Sequence, residues 1–195
     1  VTEKWADTVQ LYEVSDTQTG KLMAVFYMDL YPREGKYGHA ASFPIGMPRE
    51  VAGGYQVPLS ALVCNFNAPE KGKPAYWAVS EVTTLFHEFG HALHGLCSDV
   101  TYPSLSGTNV PRDYVEFPSQ LLEHWLETPE VLERYAIYAG TGAPIPRALV
   151  DKIERASTFN RGFKTVEFLA SALVDMRLHL GNPPDDPAAF ERDTL

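Results

Sequence analysis

Residues 79–96 read Val79-Ser80-Glu81-Val82-Thr83-Thr84-Leu85-Phe86-His87-Glu88-Phe89-Gly90-His91-Ala92-Leu93-His94-Gly95-Leu96. From Ser80 onward the chain takes on helical periodicity, with Val79, Val82, Phe86, Phe89, Leu93 and Leu96 at alternating steps of three and four, the repeat of one helix face. His87 and His91 then project from one side, one turn apart, and can share a metal ion. Neutral imidazole suits zinc, and such a pair supplies two ring nitrogens at the required ~2.0–2.1 Å. Glu88 lies about 100° from His87 and about 60° from His91 in projection. It stands beside the ligands without replacing them, where a carboxylate can take a proton from attacking water. The apolar stripe falls on the opposite side of the cylinder from His87, His91 and His94, so the ligands are expected away from the core.

A catalytic zinc takes three protein ligands and keeps one position open, so a third ligand is required. His94 is on the same helix, but three ligands from one short helix make poor tetrahedral geometry. A metzincin spacing needs Gly at 94 and His at 97; the chain has His94 and Cys97, and that reading fails. The third option is a carboxylate from a following helix, with Asp99, Asp113, Glu116, Glu123 and Glu127 as candidates. Spacing does not choose among them. Glu116 and Glu123 are seven apart and share a helical face, which would let one bind metal while the other orients a ligand histidine. Asp113 and Glu116 also fit a capping-box-like start. Pro118 requires the helix either to begin after Asp113 or to kink. A rival class is a structural zinc site, closed by Cys97 or His94 as fourth ligand.

Working outward, strand-like stretches Val9 to Val14 and Leu22 to Leu30 flank Asp16-Thr17-Gln18-Thr19-Gly20, which is turn chemistry and predicts a hairpin. A short strand is expected at His39 to Phe43 and a clear one at Leu59 to Phe66, which could offer an edge to an extended peptide. Residues 1–70 therefore read as a small sheet, antiparallel at least in part. Residues 79–195 read as a helical zinc-binding region, with later helices at Asp113 to Glu127, Thr128-Pro129 to Ala139, Pro146 to Thr158, and Asn160 to Leu180 closed by Gly181. Strands followed by helices, with no internal repeat or linker, argue a single α+β body that is mainly helical.

The formal charge of −9 leaves no basic surplus for phosphates, so nucleic acid and anionic membrane surfaces are poor partners. No apolar run approaches the roughly 18 residues of a membrane span, and residues 1–30 lack the succession of a secretion signal. Cys64 and Cys97 are flanked by apolar residues and are expected as buried, reduced thiols in a cytoplasmic setting. The chain opens on Val1 without a methionine and stops at Leu195 just after a helix-starting segment, so it is expected to be a piece of something longer. His39, after Gly35-Lys36-Tyr37-Gly38, and Tyr102, in Tyr102-Pro103-Ser104, are candidates for facing substrate. His124 and His179 read as structural.

The segments His87 to His94 (HEFGHALH), Ser106-Gly107-Thr108 and Tyr114-Val115-Glu116-Phe117-Pro118-Ser119-Gln120 together resemble the thimet oligopeptidase family of zinc peptidases. Glu116 to Gln120 followed by Glu123-His124-Trp125 looks more like the bacterial dipeptidyl carboxypeptidase branch than the endopeptidase branch. Tyr31-Pro32-Arg33-Glu34-Gly35-Lys36-Tyr37 and the Asn160 to His179 helix are also similar to family members, so the likeness spans nearly the whole chain. The resemblance implies a zincin-type (gluzincin) core in which His87, His91 and Glu116 bind Zn2+ and Glu88 is general base and then proton shuttle. Oligopeptides would be the substrates, cut to release C-terminal dipeptides, with a thimet-like endopeptidase as the alternative. Family members also carry a helical half at the N-terminal side and, toward the C-terminus, a histidine- and tyrosine-rich segment that binds substrate. Neither is present here, so this stretch alone is expected to bind zinc without efficient turnover, or to be an inactive fragment.

Overall fold

The structure is a computed structural model and describes residues 3–195. The chain divides into two compact units, the first ending at Tyr135 and the second comprising Ala136–Leu195. Together the elements make a mixed α+β fold with a small sheet.

In the first unit, strands β1 (Gln10–Ser15) and β2 (Leu22–Asp29) form the expected hairpin. Asp16 shapes its turn: Oδ1 accepts from the N–H groups of Gln18 and Thr19 at 3.1 and 2.7 Å, and Gly20 takes the left-handed conformation that closes it. The remaining strands are β3 (Ala41–Gly46), β4 (Arg49–Val51), β5 (Gly54–Gln56) and β6 (Leu59–Val63). The main sheet runs β1-β2-β6-β3, parallel only between β2 and β6. The Leu59 strand is thus interior, hydrogen-bonded on both sides, and does not offer the expected edge. The outer strands are β1 and β3, and on β3 Pro44 removes a donor at little cost. The β4–β5 hairpin escapes the periodicity argument because three-residue strands show no alternation.

Helix α1 (Val79–Leu96) lies against this sheet. The Glu81 carboxylate accepts from the Ala78 N–H at 2.7 Å and caps its start. Leu85 and Phe89 pack on Leu30, Leu62, Cys64 and Phe66, while Phe89 and Leu96 pack on Ala24 and Phe26. The sheet-facing stripe is therefore Leu85, Phe89, Ala92 and Leu96, rotated by roughly 60° from the expected one. Val79 is exposed, and Phe86 lies instead toward Tyr135, the rings tilted at 48°. The rotation arises because α1 is covered on a second flank by α2 (Phe117–Trp125), a contact that periodicity does not register. Helix α3 (Pro129–Tyr135) ends the unit.

A buried ion cluster fastens the loop after β2. Arg33 donates to both Asp29 carboxylate oxygens at 2.7 Å, Trp5 Nε1 donates to Oδ2 at 2.9 Å, and Lys36 Nζ lies 2.9 Å from Oδ1. Lys36 also donates to the carbonyls of Asp29, Tyr31 and Cys64, so one ammonium ties together the ends of β2 and β6 and the loop that follows β2. Burial pushes the Asp29 carboxyl up, but Arg33, Trp5 and Lys36 outweigh it and hold it at about 2, below the usual 3.8. A depressed carboxylate stabilises the fold fully above pH 3.8 and loses that contribution as pH falls through about 2. The difference corresponds to about 2 kcal/mol. Urea titrations between pH 5 and 2 should show this loss, and Asp29→Asn should flatten that acid limb; an unchanged limb would refute the assignment.

In the second unit, Ile137 and Pro144 form an isolated bridge around a turn at Gly142, so the helix expected to reach Ala139 stops at Tyr135. Helices α4 (Arg147–Thr158) and α5 (Arg161–Leu180) match their expected ranges to within a residue, separated by Asn160 in the left-handed region. Helix α6 (Pro187–Thr194) starts from Asp186, whose Oδ1 accepts from the Ala188 and Ala189 N–H groups. Among the described residues no helix is long and apolar enough to cross a membrane. Both cysteines are free thiols. Cys64 is buried, and burial, followed by the nearby Glu88 charge, pushes its thiol up to about 12. Cys97 is exposed rather than buried, because α1 ends there and its neighbour Leu96 turns onto the sheet without it.

Candidate metal centre

The site is built where α1 and α2 touch. Helix α2 starts at Phe117, later than Asp113, and Pro118 sits in its first turn, where the missing N–H costs nothing. Glu116 is therefore the residue immediately preceding the helix, its carboxylate free of capping duty. The approach of the two helices is set by Gly90: a Cβ there would lie 2.5 Å from Ser119 Cα and 2.8 Å from Pro118 O. Only a glycine permits α2 to come this close, and Ser119 is fully buried in the contact.

With the helices so placed, His87 Nε2 and His91 Nε2 converge on one oxygen of Glu116, at 3.2 and 3.1 Å. One donor atom from each of these three residues lies within 4.8 Å of the others. Ser119 Oγ donates to that same Glu116 oxygen at 2.8 Å and to the Glu116 carbonyl at 2.9 Å, fixing the carboxylate. Glu123, two turns further on, takes His87 Nδ1 at 2.6 Å. A carboxylate can only accept there, so Nδ1 carries a proton, and the neutral ring with that tautomer offers the Nε2 lone pair to a metal.

The electrostatics follow the burial. Burial pushes the Glu116 carboxyl up, but the Ser119 hydroxyl and the two imidazoles outweigh it and hold it below the usual range. His91 is the more enclosed histidine, and burial is the main reason its pKa is lowered, which favours the neutral ring. The ligand face is thus opposite the sheet, as the helical projection predicts, yet His91 is not out in solvent because α2 covers it. Glu88 is buried on the flank of α1 toward β3. Burial raises its carboxyl above the usual range; His87 and the Ser42 N–H pull it back, while Glu116 adds to the rise.

Of the five candidate carboxylates, Glu116 joins the two histidines and Glu123 holds His87; among the described residues Asp99, Asp113 and Glu127 stand outside the cluster. His94 is outside it too, 6.3 Å from the Tyr114 ring between centroids. His39 is exposed and packs on Tyr37, and Tyr102 is exposed before a short 3-10 turn at Pro103–Leu105. Neither enters the cluster. His124 is exposed, and His179 is turned onto the Asp175 carbonyl of its own helix at 2.8 Å. Periodicity and spacing missed Gly90 and Ser119. A lone glycine inside a helical repeat is the signal that could have marked the first.

Two imidazoles and one carboxylate, with a carboxylate supporting one of the rings, form a donor set fitted to a divalent metal of the zinc type. Fold and site together define an α+β protein with a cluster of two histidines and one glutamate, assembled between two helices, that could hold a metal ion. The chain belongs to Peptidase family M3, whose model matches residues 1–194. It is 43% identical over 172 residues to a dipeptidyl carboxypeptidase of Salmonella typhimurium, covering 88% of this chain and 25% of that protein. It is 40% identical over 186 residues to oligopeptidase A of Escherichia coli, covering 94% of this chain and 27% of that protein. A thimet-like oligopeptidase of Dictyostelium discoideum is 40% identical over 185 residues, with coverage of 93% and 28%. The chain thus spans about a quarter of the length of these relatives.

Proposed function

We propose that this chain is the catalytic core of a cytoplasmic zinc peptidase of gluzincin type that acts on short peptides and releases dipeptides from their C-termini. The observation that carries the reading is the convergence of His87 Nε2 and His91 Nε2 on Glu116, beside a buried carboxylate that binds none of them. The release of dipeptides rests on the likeness to dipeptidyl carboxypeptidases; likeness to oligopeptidase A supports an endopeptidase as the second reading.

His87, His91 and Glu116 would hold the zinc, with Glu123 fixing the His87 ring and Ser119 fixing Glu116. A bound zinc supplies Lewis-acid polarisation of the scissile carbonyl and activation of water. Glu88 takes the proton of the attacking water and passes it to the leaving amine, a role suited to a carboxylate whose proton affinity burial has raised. The Ser42 N–H faces Glu88 from β3, one of the two outer strands of the sheet, so a peptide added along that edge would run past the base. Glu116 is half exposed, which leaves the metal centre accessible from solvent.

The test is metal analysis and peptide cleavage on the full-length protein. Close to one zinc per chain is expected, with hydrolysis lost on chelation and restored by zinc. Free-acid peptides should be cleaved well ahead of their C-terminal amides; equal cleavage would favour the endopeptidase reading. Hydrolysis that survives complete removal of metal would sink both.

A further inference from the structure

Among the described residues, His91 Nδ1 and Ser106 Oγ are buried without a hydrogen-bonding partner. Both residues line one small cavity of about 30 Å³, and Ser42 and Ser60 line it too. Resting on the zinc reading above, the two histidines have the same requirement and different means of meeting it. A ring that offers Nε2 to a metal carries its proton on Nδ1, and that N–H is almost always donated onward. His87 gives its proton to Glu123; His91 has no such carboxylate. A buried donor and a buried acceptor left unpaired would each cost roughly 1–3 kcal/mol.

The cavity has a largely apolar wall into which Ser42, Ser60, His91 and Ser106 bring polar groups, and it is large enough to resolve this. A water needs roughly 10–15 Å³ and two to four partners. Ser60 Oγ donates to the Phe43 carbonyl at 3.3 Å and lies 3.4 Å from Ser42 Oγ, leaving oxygen lone pairs free to accept. Ser106 is held firmly. Its N–H donates to the Pro103 carbonyl, its own carbonyl accepts from Asn109 Nδ2, and the Gly107 N–H donates to Ser98 Oγ at 3.0 Å. Gly107, in the left-handed conformation, brings this loop onto α1 so closely that a Cβ would lie 3.1 Å from Gly95 Cα. With its backbone committed, the hydroxyl is the one group of Ser106 without a partner.

We propose that this cavity is a built water site, in which His91 Nδ1–H donates to a water that in turn donates to Ser106 Oγ. Ser106 is then a positioning residue: through that water it fixes the tautomer and the plane of His91.

Zinc affinity of the full-length protein, measured by chelator competition, tests this. Ser106→Ala is expected to bind zinc at least about tenfold more weakly, the usual effect of losing a ligand's outer partner, while the metal-free protein melts close to the unaltered one. A variant with unaltered affinity, or with a lowered metal-free melting temperature alone, would overturn the proposal by making Ser106 merely structural. A high-resolution crystal structure of the unaltered protein decides independently of any variant. A solvent peak within hydrogen-bond distance of both atoms supports the site, and a dry cavity refutes it. An unaltered protein that binds no zinc would instead overturn the metal reading, leaving the water site to the crystal structure.

Discussion

Replacing Glu88 by Gln in the full-length protein is expected to lower kcat/KM for short peptides roughly a thousandfold, about 4 kcal/mol of transition-state stabilisation, while zinc content stays unchanged. Gln matches Glu in size and removes only the ability to accept a proton. Because burial is the main cause of the raised Glu88 carboxyl, a neutral side chain there relieves a desolvation cost, and the variant should melt no lower than the parent. His87→Ala is the contrast, since it removes a metal donor and should lose zinc and hydrolysis together. Steady-state kinetics beside metal analysis separates the two outcomes. A fully active Glu88→Gln enzyme would end the assignment of the base.

A different kind of failure is expected at Gly90. On propensity alone Gly90→Ala should stabilise α1 by about 1 kcal/mol. The added Cβ, however, meets the Ser119 Cα at 2.5 Å and the Pro118 carbonyl at 2.8 Å. These are backbone atoms that cannot rotate aside, and overpacking of this kind costs about 3 kcal/mol or more. The clash wins, and the variant should lose at least about 2 kcal/mol net in urea denaturation. Relief requires α2 to move outward, and Glu116 moves with it, so zinc binding should weaken as well. Undiminished stability together with undiminished zinc affinity would show that the helix contact is not what sets the site.

Local rules account for much of the fold. The Asp16 to Gly20 turn, the β1–β2 hairpin and helices α4 and α5 depend on neighbours a few residues away, and they lie where turn chemistry and periodicity put them. The β4–β5 hairpin and the interior position of β6 depend on strand pairing across the sheet, which no local pattern encodes. Cys97 shows the same limit. Its apolar neighbours suggest burial, but exposure follows from where α1 ends against the sheet.

For the centre itself, the pairing of His87 with His91 and the flanking position of Glu88 were determined by the sequence alone, because a helical repeat converts spacing into direction. Spacing left five carboxylates open, and only the tertiary structure brings Glu116 onto both rings and Glu123 onto His87. The physical reason is distance across a helix contact: how near α2 stands to α1 depends on a missing side chain at Gly90 and a small one at Ser119, and it becomes visible only once the two backbones meet.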